Sequence, residues 1–363
     1  MTLVCHNENH HKGEKNLSAR LNTPVLSALP MLSESRRRAL QALAAASTGW
    51  ALAPTLVWAQ GGKKFRIGVT KIVSHAALDA DEKGFEAGLA SAGFKDGVNV
   101  TYLRRNAQGD LAVADTIARE LVAEKVDLIH AIATPTAQAV MRTGSRIPMV
   151  FSSVTDPVLA GLVPTSSAPG QKTGTHVTGS SDLWPVRLQF ETYARVVPKA
   201  KTWGTIYNPN EVNSLSHVKV MREAARDLGL TLVEATVSSS ADVEPAASLL
   251  ATKVQAITIT SDNTSVASLE AIARVCERHK VALFAGDIDS VARGAVMAYG
   301  LDYFLVGYSA GKKAALVLKG IKPGDVPWGP LEKFSLVINV RAAKAQGVVI
   351  PPELLAKADK VID

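Results

Sequence analysis

Short runs of β-branched and aliphatic residues alternate with stretches of helical periodicity along most of the chain. The stretch 75–92 places Leu78, Phe85 and Leu89 on one helical face and ends at Gly93, a common helix stop. Extended runs lie around it at residues 65–70, 98–105, 128–134, 149–154 and 176–180. Strands that alternate with helices in this way predict βαβ units and a parallel sheet.

The second half of the chain repeats this order. A helix is predicted over residues 213–228, with Val218, Met221 and Ala225 on one face. Extended runs fall at residues 202–207, 230–237, 256–260, 282–286 and 295–299. The two halves also begin alike, with GVTK in the first and GTIY in the second. The sequence therefore predicts an α/β fold of two similar Rossmann-like lobes, which 363 residues are long enough to build.

The N-terminal 60 residues have the features of an export signal. Three arginines at 36–38 precede an Ala/Leu-rich stretch that ends in the small-x-small triplet Val57-Trp58-Ala59. We predict a signal peptide cleaved near Ala59, a periplasmic mature protein and Met31 as a plausible true start. The paired arginines also resemble a twin-arginine signal, so the export route stays open. An uncleaved membrane anchor is the alternative, disfavoured because Pro54 and polar residues interrupt the apolar stretch.

Charge and cysteine content narrow the function classes. The formal net charge is +7, but removing the first 59 residues leaves 34 basic and 30 acidic side chains, without an obvious basic run. Nucleic-acid binding usually needs a clustered basic face, so we do not expect it. The two cysteines are Cys5 and Cys276, and cleavage removes the first, so we expect no disulfide in the mature chain. Cys276 reads as a small buried hydrophobe.

Polar residues collect just after the predicted strands, where open parallel sheets bind their ligands. The first half offers Lys71, Ser74 and His75 after one strand and Thr134-Pro135-Thr136 after another. The Thr-Pro order fits a helix N-cap followed by proline, and the free N–H groups there suit a carboxylate. Asp262 and Asp287, in the second half, are candidates for a ligand ammonium, although either is equally suited to cap a helix.

Motifs of catalysis are missing from the sequence. No GxGxxG, GxxxxGK[ST], GxSxG or HExxH pattern occurs, which argues against the common phosphate, nucleophile and zinc chemistries. His130 and His176 stand alone in apolar runs and are interpreted as core histidines. We therefore expect no enzyme activity, no cofactor and no metal.

Several segments resemble one known family. They are GVTKIVSH at 68–75, ATPTAQA at 133–139, SSVTDPV at 152–158, YNPNEVNS at 207–214, SDNT at 261–264 and SVARGAVMAYGLD at 290–302. Together they resemble the ABC-transporter substrate-binding family that includes tryptophan- and phenylalanine-binding members, within the type I periplasmic binding proteins. The resemblance spans nearly all of residues 65–363. Members commonly have proline where this chain has Ala76.

The resemblance implies two lobes that are joined by three crossovers and that hold a small ligand between them. We expect a monomer that closes on this ligand by a hinge movement. The closed protein would dock on an ABC permease and so act indirectly with its ATPase. The expected lobes are 61–182 with 303–328, and 183–302 with 329–363. A possible ligand is an amino acid, with an aromatic one favoured. The ligand-binding walls implied for this chain are Ser74, Thr134, Thr136, Ser153 and Thr155 on the first lobe, and Asn208, Ser214, Asp262, Asn263 and Asp287 on the second.

Two other functions remain open from the sequence. A periplasmic sensory protein would present its ligand to a membrane signalling partner instead of a permease. A Rossmann-like enzyme would need a base in the cleft, for which His75 or His130 is the best candidate.

Overall fold

A computed structural model of the chain describes residues 63–363, so the predicted signal peptide, Met31 and Cys5 lie outside the described residues. The strands are β1 (Phe65–Lys71), β2 (Val100–Asn106), β3 (Leu128–Ile132), β4 (Met149–Ser152), β5 (Val177–Ser181), β6 (Thr202–Tyr207), β7 (Thr231–Thr236), β8 (Ala256–Thr258), β9 (Ala282–Asp287), β10 (Met297–Leu301), β11 (Gly329–Pro330), β12 (Ser335–Asn339) and β13 (Lys360–Ile362). The α-helices are α1 (Ala76–Ser91), α2 (Leu111–Ala123), α3 (Thr134–Arg142), α4 (Val186–Ala194), α5 (Val212–Asp227), α6 (Val243–Ala251), α7 (Asn263–Ala267), α8 (Leu269–His279), α9 (Tyr303–Leu318), α10 (Val340–Ala345) and α11 (Pro352–Leu355).

The first sheet is parallel throughout, in the order β11-β5-β4-β3-β1-β2. Its central strands β3, β4 and β5 are buried along their whole length, because helices cover both faces of the sheet. This burial explains why β3 and the first three residues of β4 read as apolar runs rather than as an alternating pattern. Buried polar side chains depart from that pattern: His130 in the middle of β3, Ser152 at the end of β4, and Thr178, Ser180 and Ser181 in β5.

The second sheet has the order β13-β12-β10-β9-β8-β6-β7, parallel except where β10 meets β12. Its strands β7-β6-β8-β9-β10 repeat the 2-1-3-4-5 order of β2-β1-β3-β4-β5 in the first sheet. The prediction of two similar Rossmann-like lobes is therefore confirmed. In this strand order the ligand crevice lies where the connections reverse direction, at the carboxyl ends of β1 and β3 and of β6 and β8.

The chain passes between the lobes three times within the described residues. It leaves the first sheet after β5, returns after β10 into α9, and crosses again between β11 and β12. Helix α9 packs along α1 of the first lobe, and β12 joins the second sheet. Strand β11 pairs with β5, so Gly329 and Pro330 belong to the first sheet, two residues beyond the boundary drawn from the sequence.

Helices α1 and α9 cross at very close range because each presents two glycines to the other. A Cβ added at Gly84 would lie 2.0 Å from the carbonyl oxygen of Phe304, and one at Gly88 would lie 2.4 Å from that of Tyr308. On α9, a Cβ at Gly311 would lie 2.2 Å from the carbonyl oxygen of Phe85. The crossing thus fixes the two helices whose N-terminal ends, His75 and Tyr303, reach the interlobe crevice.

Candidate functional site

A small cavity lies between the lobes at the carboxyl edges of both sheets. Its volume is about 10 Å³, which is roughly the room one water molecule needs. Residues from both lobes line it: His75, Ala77, Leu78, Ser153, Asp182 and Tyr303 come from the first, and Trp184, Asn213, Ser261, Asn263, Val266 and Asp287 from the second or from the segment that enters it. A ligand the size of an amino acid enters this space only if the lobes separate.

Asp182 is a buried carboxylate where the chain first leaves the first lobe. Its Oδ1 accepts a hydrogen bond of 2.9 Å from Thr155 Oγ1, and its Oδ2 accepts one of 2.5 Å from the Tyr303 hydroxyl. Trp184 Nε1 donates to the same Tyr303 oxygen over 3.2 Å. Burial raises the pKa of Asp182, while the bonds from Tyr303 and Thr155 act in the opposite direction. The carboxylate is therefore held rigidly at the cavity wall by neutral donors.

Asp287 is a second buried carboxylate on the same cavity, at the end of β9. Its two oxygens accept from the backbone N–H of Ser290 (2.8 Å) and from the Ser290 hydroxyl (2.7 Å). Burial raises the pKa of Asp287, and the charge of Asp287 in turn helps to raise that of Asp182. Among the cavity-lining residues of the described chain there is no lysine or arginine. Two acidic side chains therefore line a cavity that has no lysine or arginine among the described residues of its wall.

Trp184 can pack closely against β9 because residue 286 of that strand is a glycine. A Cβ at Gly286 would overlap the Trp184 ring, at 1.8 Å from one ring carbon. The indole also stacks on His217, with ring centroids 4.9 Å apart. Packing against β9 and His217 thus fixes an aromatic wall of the cavity.

Ser153 shows local backbone strain next to a buried polar cluster. Its φ is +54°, in the left-handed region that non-glycine residues seldom adopt. Its hydroxyl donates a very short hydrogen bond to Asp81, which also accepts from Ser152 Oγ at 2.7 Å. Ser152 in turn lies 2.7 Å from His130 Nε2, so His130 is a bonded core histidine, as the sequence indicates. The hydrogen bond to Asp81 therefore fixes the Ser153 hydroxyl at the cavity wall.

A wider groove of about 430 Å³ adjoins the cavity at the outer rim of the lobes. The first lobe contributes residues 108–111 and the second contributes Asn208, Glu211 and residues 238–240, while Asn263 borders both spaces. Asn208 is oriented by its own lobe, because its Nδ2 lies 3.2 Å from Thr264 Oγ1. The groove is the polar mouth of the interlobe crevice.

The structure brings only part of the predicted binding set to the cavity. Ser153, Asn263 and Asp287 line it, Thr155 lies directly behind Asp182, and Asn208 lines the outer groove. Four of the other predicted residues bond within their own lobes: Ser74, Thr136, Ser214 and Asp262. The buried Thr134 hydroxyl lies away from the cavity and has no hydrogen-bond partner among the described residues.

Each displaced residue has a local reason. Ser74 is exposed and donates to Asp79, and Thr136 Oγ1 donates to the carbonyl of Ile132 over 2.6 Å. Thr134 is not the N-cap that its proline neighbour indicated, since Ala133 occupies that position with φ +80°. Asp262 caps α7 by accepting from Ser265 N.

The neighbours of Asp262 explain why it is not available to a ligand. Its carboxylate also accepts from Asn208 N and Ser214 Oγ, both at 2.8 Å. Burial, together with the nearby Glu211 carboxylate, raises the pKa of Asp262 to about 7. The structure therefore places this acid as a helix cap inside the second lobe.

The sequence analysis missed several residues of the cavity wall. Asp182, Trp184, Asn213 and Tyr303 are not among the predicted binding residues. Asp182 and Trp184 lie at the expected lobe boundary between residues 182 and 183, and residues at such a boundary are natural cleft candidates. Their position at the boundary is the sequence signal that could have identified them as cavity residues.

Residues 63–363 contain neither a membrane-spanning helix nor a metal-binding cluster. No helix in this part of the chain is long and apolar enough to cross a bilayer. No group of three or more His, Cys, Asp or Glu side chains in it has the spacing to hold a metal ion.

Two matched α/β lobes around a polar, acid-lined cavity define a two-lobed binding protein. Comparison with known proteins gives the family: residues 66–362 match the model described as ABC transporter substrate binding protein. The chain belongs to this family, and the relatives whose names state a function are solute-binding proteins, not enzymes.

Individual relatives agree with this assignment. The chain is 37% identical to a protein named tyrosine-binding protein from Clostridioides difficile, over 78% of this chain and 81% of that one. A crystal structure of a conserved domain protein from Vibrio cholerae matches with a TM-score of 0.80 and 37% identity, covering 82% of this chain and 100% of the other. An ABC domain from Streptococcus pneumoniae in complex with L-Trp matches with a TM-score of 0.78 and 32% identity, covering 83% and 100%.

A further relative was solved in another state. A substrate-binding protein with adhesive properties from Clostridium difficile, in a ligand-free, open structure, matches with a TM-score of 0.61 and 34% identity, covering 82% of this chain and 99% of that one. The sequence identity is close to that of the L-Trp complex, whereas the structural agreement is lower.

Proposed function

We propose that this chain is the exported, periplasmic solute-binding component of an ABC importer, and that it captures an aromatic amino acid by closing its lobes. Under this proposal the first 60 residues are the export segment cleaved near Ala59. The mature protein delivers its ligand to a permease, which an ATPase drives. The lobes are residues 61–182 with 303–328 and residues 183–302 with 329–363, apart from the short strand β11.

The pair of buried carboxylates is the observation that carries the amino-acid assignment. Asp182 and Asp287 face one cavity with no lining cation, and an unpaired buried charge is costly. A ligand ammonium placed between them would remove that cost. The Ser153 hydroxyl oxygen at the cavity wall would complete the ammonium site as a third acceptor.

The aromatic preference rests on the cavity's apolar wall and on the relatives. Trp184, Leu78 and Val266 supply flat and aliphatic surface beside the polar groups. The named relatives include a tyrosine-binding protein and a structure with L-Trp bound. The side chain of an aromatic amino acid is flat and largely apolar, so it would pack well against this wall.

Hinge closure is supported by the size of the cavity and by the pattern of structural agreement. A space of about 10 Å³ holds no amino acid, so binding requires movement of the lobes. The chain agrees better with an L-Trp complex than with an open, ligand-free relative of similar identity, as expected of lobes drawn together. A ligand that touches both lobes stabilises that arrangement over the open one.

Isothermal titration calorimetry of the full chain, freed of bound ligand, tests the proposal. L-Tyr, L-Trp or L-Phe should bind one to one, and more tightly than L-Leu. Asp287→Asn should weaken binding by about 10-fold or more, because a hydrogen bond to a charged group is worth roughly 1.5–3 kcal/mol.

Asp127→Asn is the matched control. Its carboxylate also accepts a backbone N–H, from Arg66 at 2.8 Å, but lies at the opposite edge of the first sheet. It should leave the affinity unchanged. Absence of binding by every aromatic amino acid would refute the proposal, and an unaltered affinity in Asp287→Asn would refute the ammonium site.

A further inference from the structure

Two buried polar atoms on the cavity wall have no hydrogen-bond partner among the described residues. One is Nε2 of His75 and the other is Oδ1 of Asn213. Buried polar groups in native proteins are nearly always paired, so orphans that share a ligand cavity indicate the ligand's own polar groups. The two residues come from opposite lobes, and both line this cavity.

The surrounding bonds fix what each atom offers. His75 Nδ1 accepts from Leu78 N–H over 3.4 Å as the N-cap of α1, so the proton of the neutral ring sits on Nε2. The Asn213 amide nitrogen donates to Ser261 O at 2.8 Å and to Glu211 Oε2 at 3.0 Å, which leaves Oδ1 as the free acceptor. The cavity thus presents one free donor and one free acceptor.

We propose that His75 Nε2–H donates to the carboxylate of the bound amino acid, a role that rests on the proposed function. His75 is 8% exposed and stands at the N-terminus of a 16-residue helix, where the helix dipole favours an anion. Asp79 in the first helical turn is already paired with Lys71 at 2.5 Å and does not compete for this end. Asp182 and Asp287 lie on other elements of the cavity wall. The His75 donor and the two acidic acceptors therefore occupy different parts of the wall.

The donor stays in one protonation state over the working range of pH. Burial, with a contribution from the charge of Arg293, lowers the pKa of His75 to about 4. The ring is therefore neutral at pH 5 and above, with Nδ1 as helix cap and Nε2–H directed to the ligand. A neutral donor on a helix N-terminus recognises a carboxylate without a buried cation, and no lining residue of the described chain supplies one.

His75→Asn is the sharpest test, because asparagine can still cap α1 with its side-chain oxygen but has no donor at the Nε2 position. Calorimetry would compare L-tyrosine with tyramine, which has the same ring and ammonium but no carboxylate. We expect the variant to weaken L-tyrosine binding by about 10- to 100-fold and tyramine binding by no more than about twofold. A melting curve of the unliganded variant checks that the lobes remain folded.

Other results have distinct meanings. An equal loss for L-tyrosine and tyramine would overturn the inference and place His75 in a structural role or on the phenol. An unchanged affinity for L-tyrosine would overturn it while leaving the proposed function intact. If the wild-type chain binds no aromatic amino acid, the proposed function fails, and this inference fails with it.

Discussion

Thr155 Oγ1 of the first lobe lies 3.0 Å from Ser261 Oγ of the second. Because the Thr155 proton goes to Asp182, Ser261 must donate across the lobes, and Ser261 Oγ also lies 3.0 Å from His217 Nδ1. Burial lowers the pKa of His217 to about 3, so its ring is neutral. Ser261 therefore donates to Thr155 across the interlobe boundary, and Thr155 donates to the Asp182 carboxylate.

Removing this interlobe bond should shift the unliganded protein toward an open form. Ser261→Ala deletes the hydroxyl but leaves the Thr155 bond to Asp182 in place. A lost hydrogen bond of about 1 kcal/mol corresponds to roughly a fivefold change in the ratio of closed to open molecules. Small-angle scattering or a distance measured between labels on the two lobes should report a larger separation without ligand.

Ser265→Ala is the control for that experiment. Ser265 is also buried, and its hydroxyl donates to Ile206 O at 2.9 Å within the second lobe. It should lower stability by a similar amount and leave the lobe separation unchanged. If both variants scatter like the wild type, the bond between Thr155 and Ser261 does not influence closure.

The glycine crossing of α1 and α9 should tolerate no side chain. In Gly88→Ala the new Cβ would meet the Tyr308 carbonyl oxygen at 2.4 Å, and backbone yields less readily than a flexible side chain. We expect a loss of about 3 kcal/mol or more in the free energy of unfolding, measured by urea denaturation. Gly329→Ala, whose Cβ would have its nearest neighbour at 3.5 Å, should change stability by no more than about 0.5 kcal/mol.

The buried Asp81 should make stability fall as the pH rises. Burial raises its pKa to about 7 from an unfolded value near 3.8, so between these values the folded state holds the extra proton. Stability from this group is fully present below about pH 4 and is lost as the pH rises through 7. Asp81→Asn removes this dependence. The stability of the variant relative to the wild type should therefore increase by about 2 kcal/mol between pH 5 and pH 8, and parallel curves would contradict the assignment.

Ligand affinity should fall when the solution is made acidic. Burial raises the pKa values of Asp182 and Asp287, and burial raises that of their neighbour Asp289 to about 7. A ligand ammonium favours the ionised carboxylates, so binding in acid has to release protons. Calorimetry between pH 5 and pH 8 should show weaker binding at the lower pH and proton release in buffers of different ionisation enthalpy. A flat profile would show that the acids are already ionised in the unliganded protein.

The sequence predicted the fold closely and the site only partly, for physical reasons. Strand and helix positions follow from local periodicity, so β6 is predicted to the residue and α1 to within one residue at each end. Capping is also local, yet Thr134 shows that a Thr-Pro pair does not fix which residue has the cap geometry.

Contacts between side chains that are distant in sequence could not be predicted from the sequence. The Tyr303 hydroxyl meets Asp182 across 121 positions, and Thr155 meets Ser261 across 106. No spacing rule connects such residues, because their approach depends on how the two lobes meet. Asp262 and Asp287 look alike in sequence, and only burial against different neighbours makes one a helix cap and the other a cavity wall.

Because the C-terminal segment supplies a strand at the edge of each sheet, it affects when the protein can fold during synthesis. The edge strand of the first sheet comes from Gly329 and Pro330, and that of the second from Lys360–Ile362. Neither half can therefore complete its sheet until nearly all of the polypeptide has been synthesised. Contacts this distant along the chain form slowly. A nascent chain of this kind stays unfinished for most of its synthesis, which lengthens the period during which cellular factors can act on it before it becomes compact.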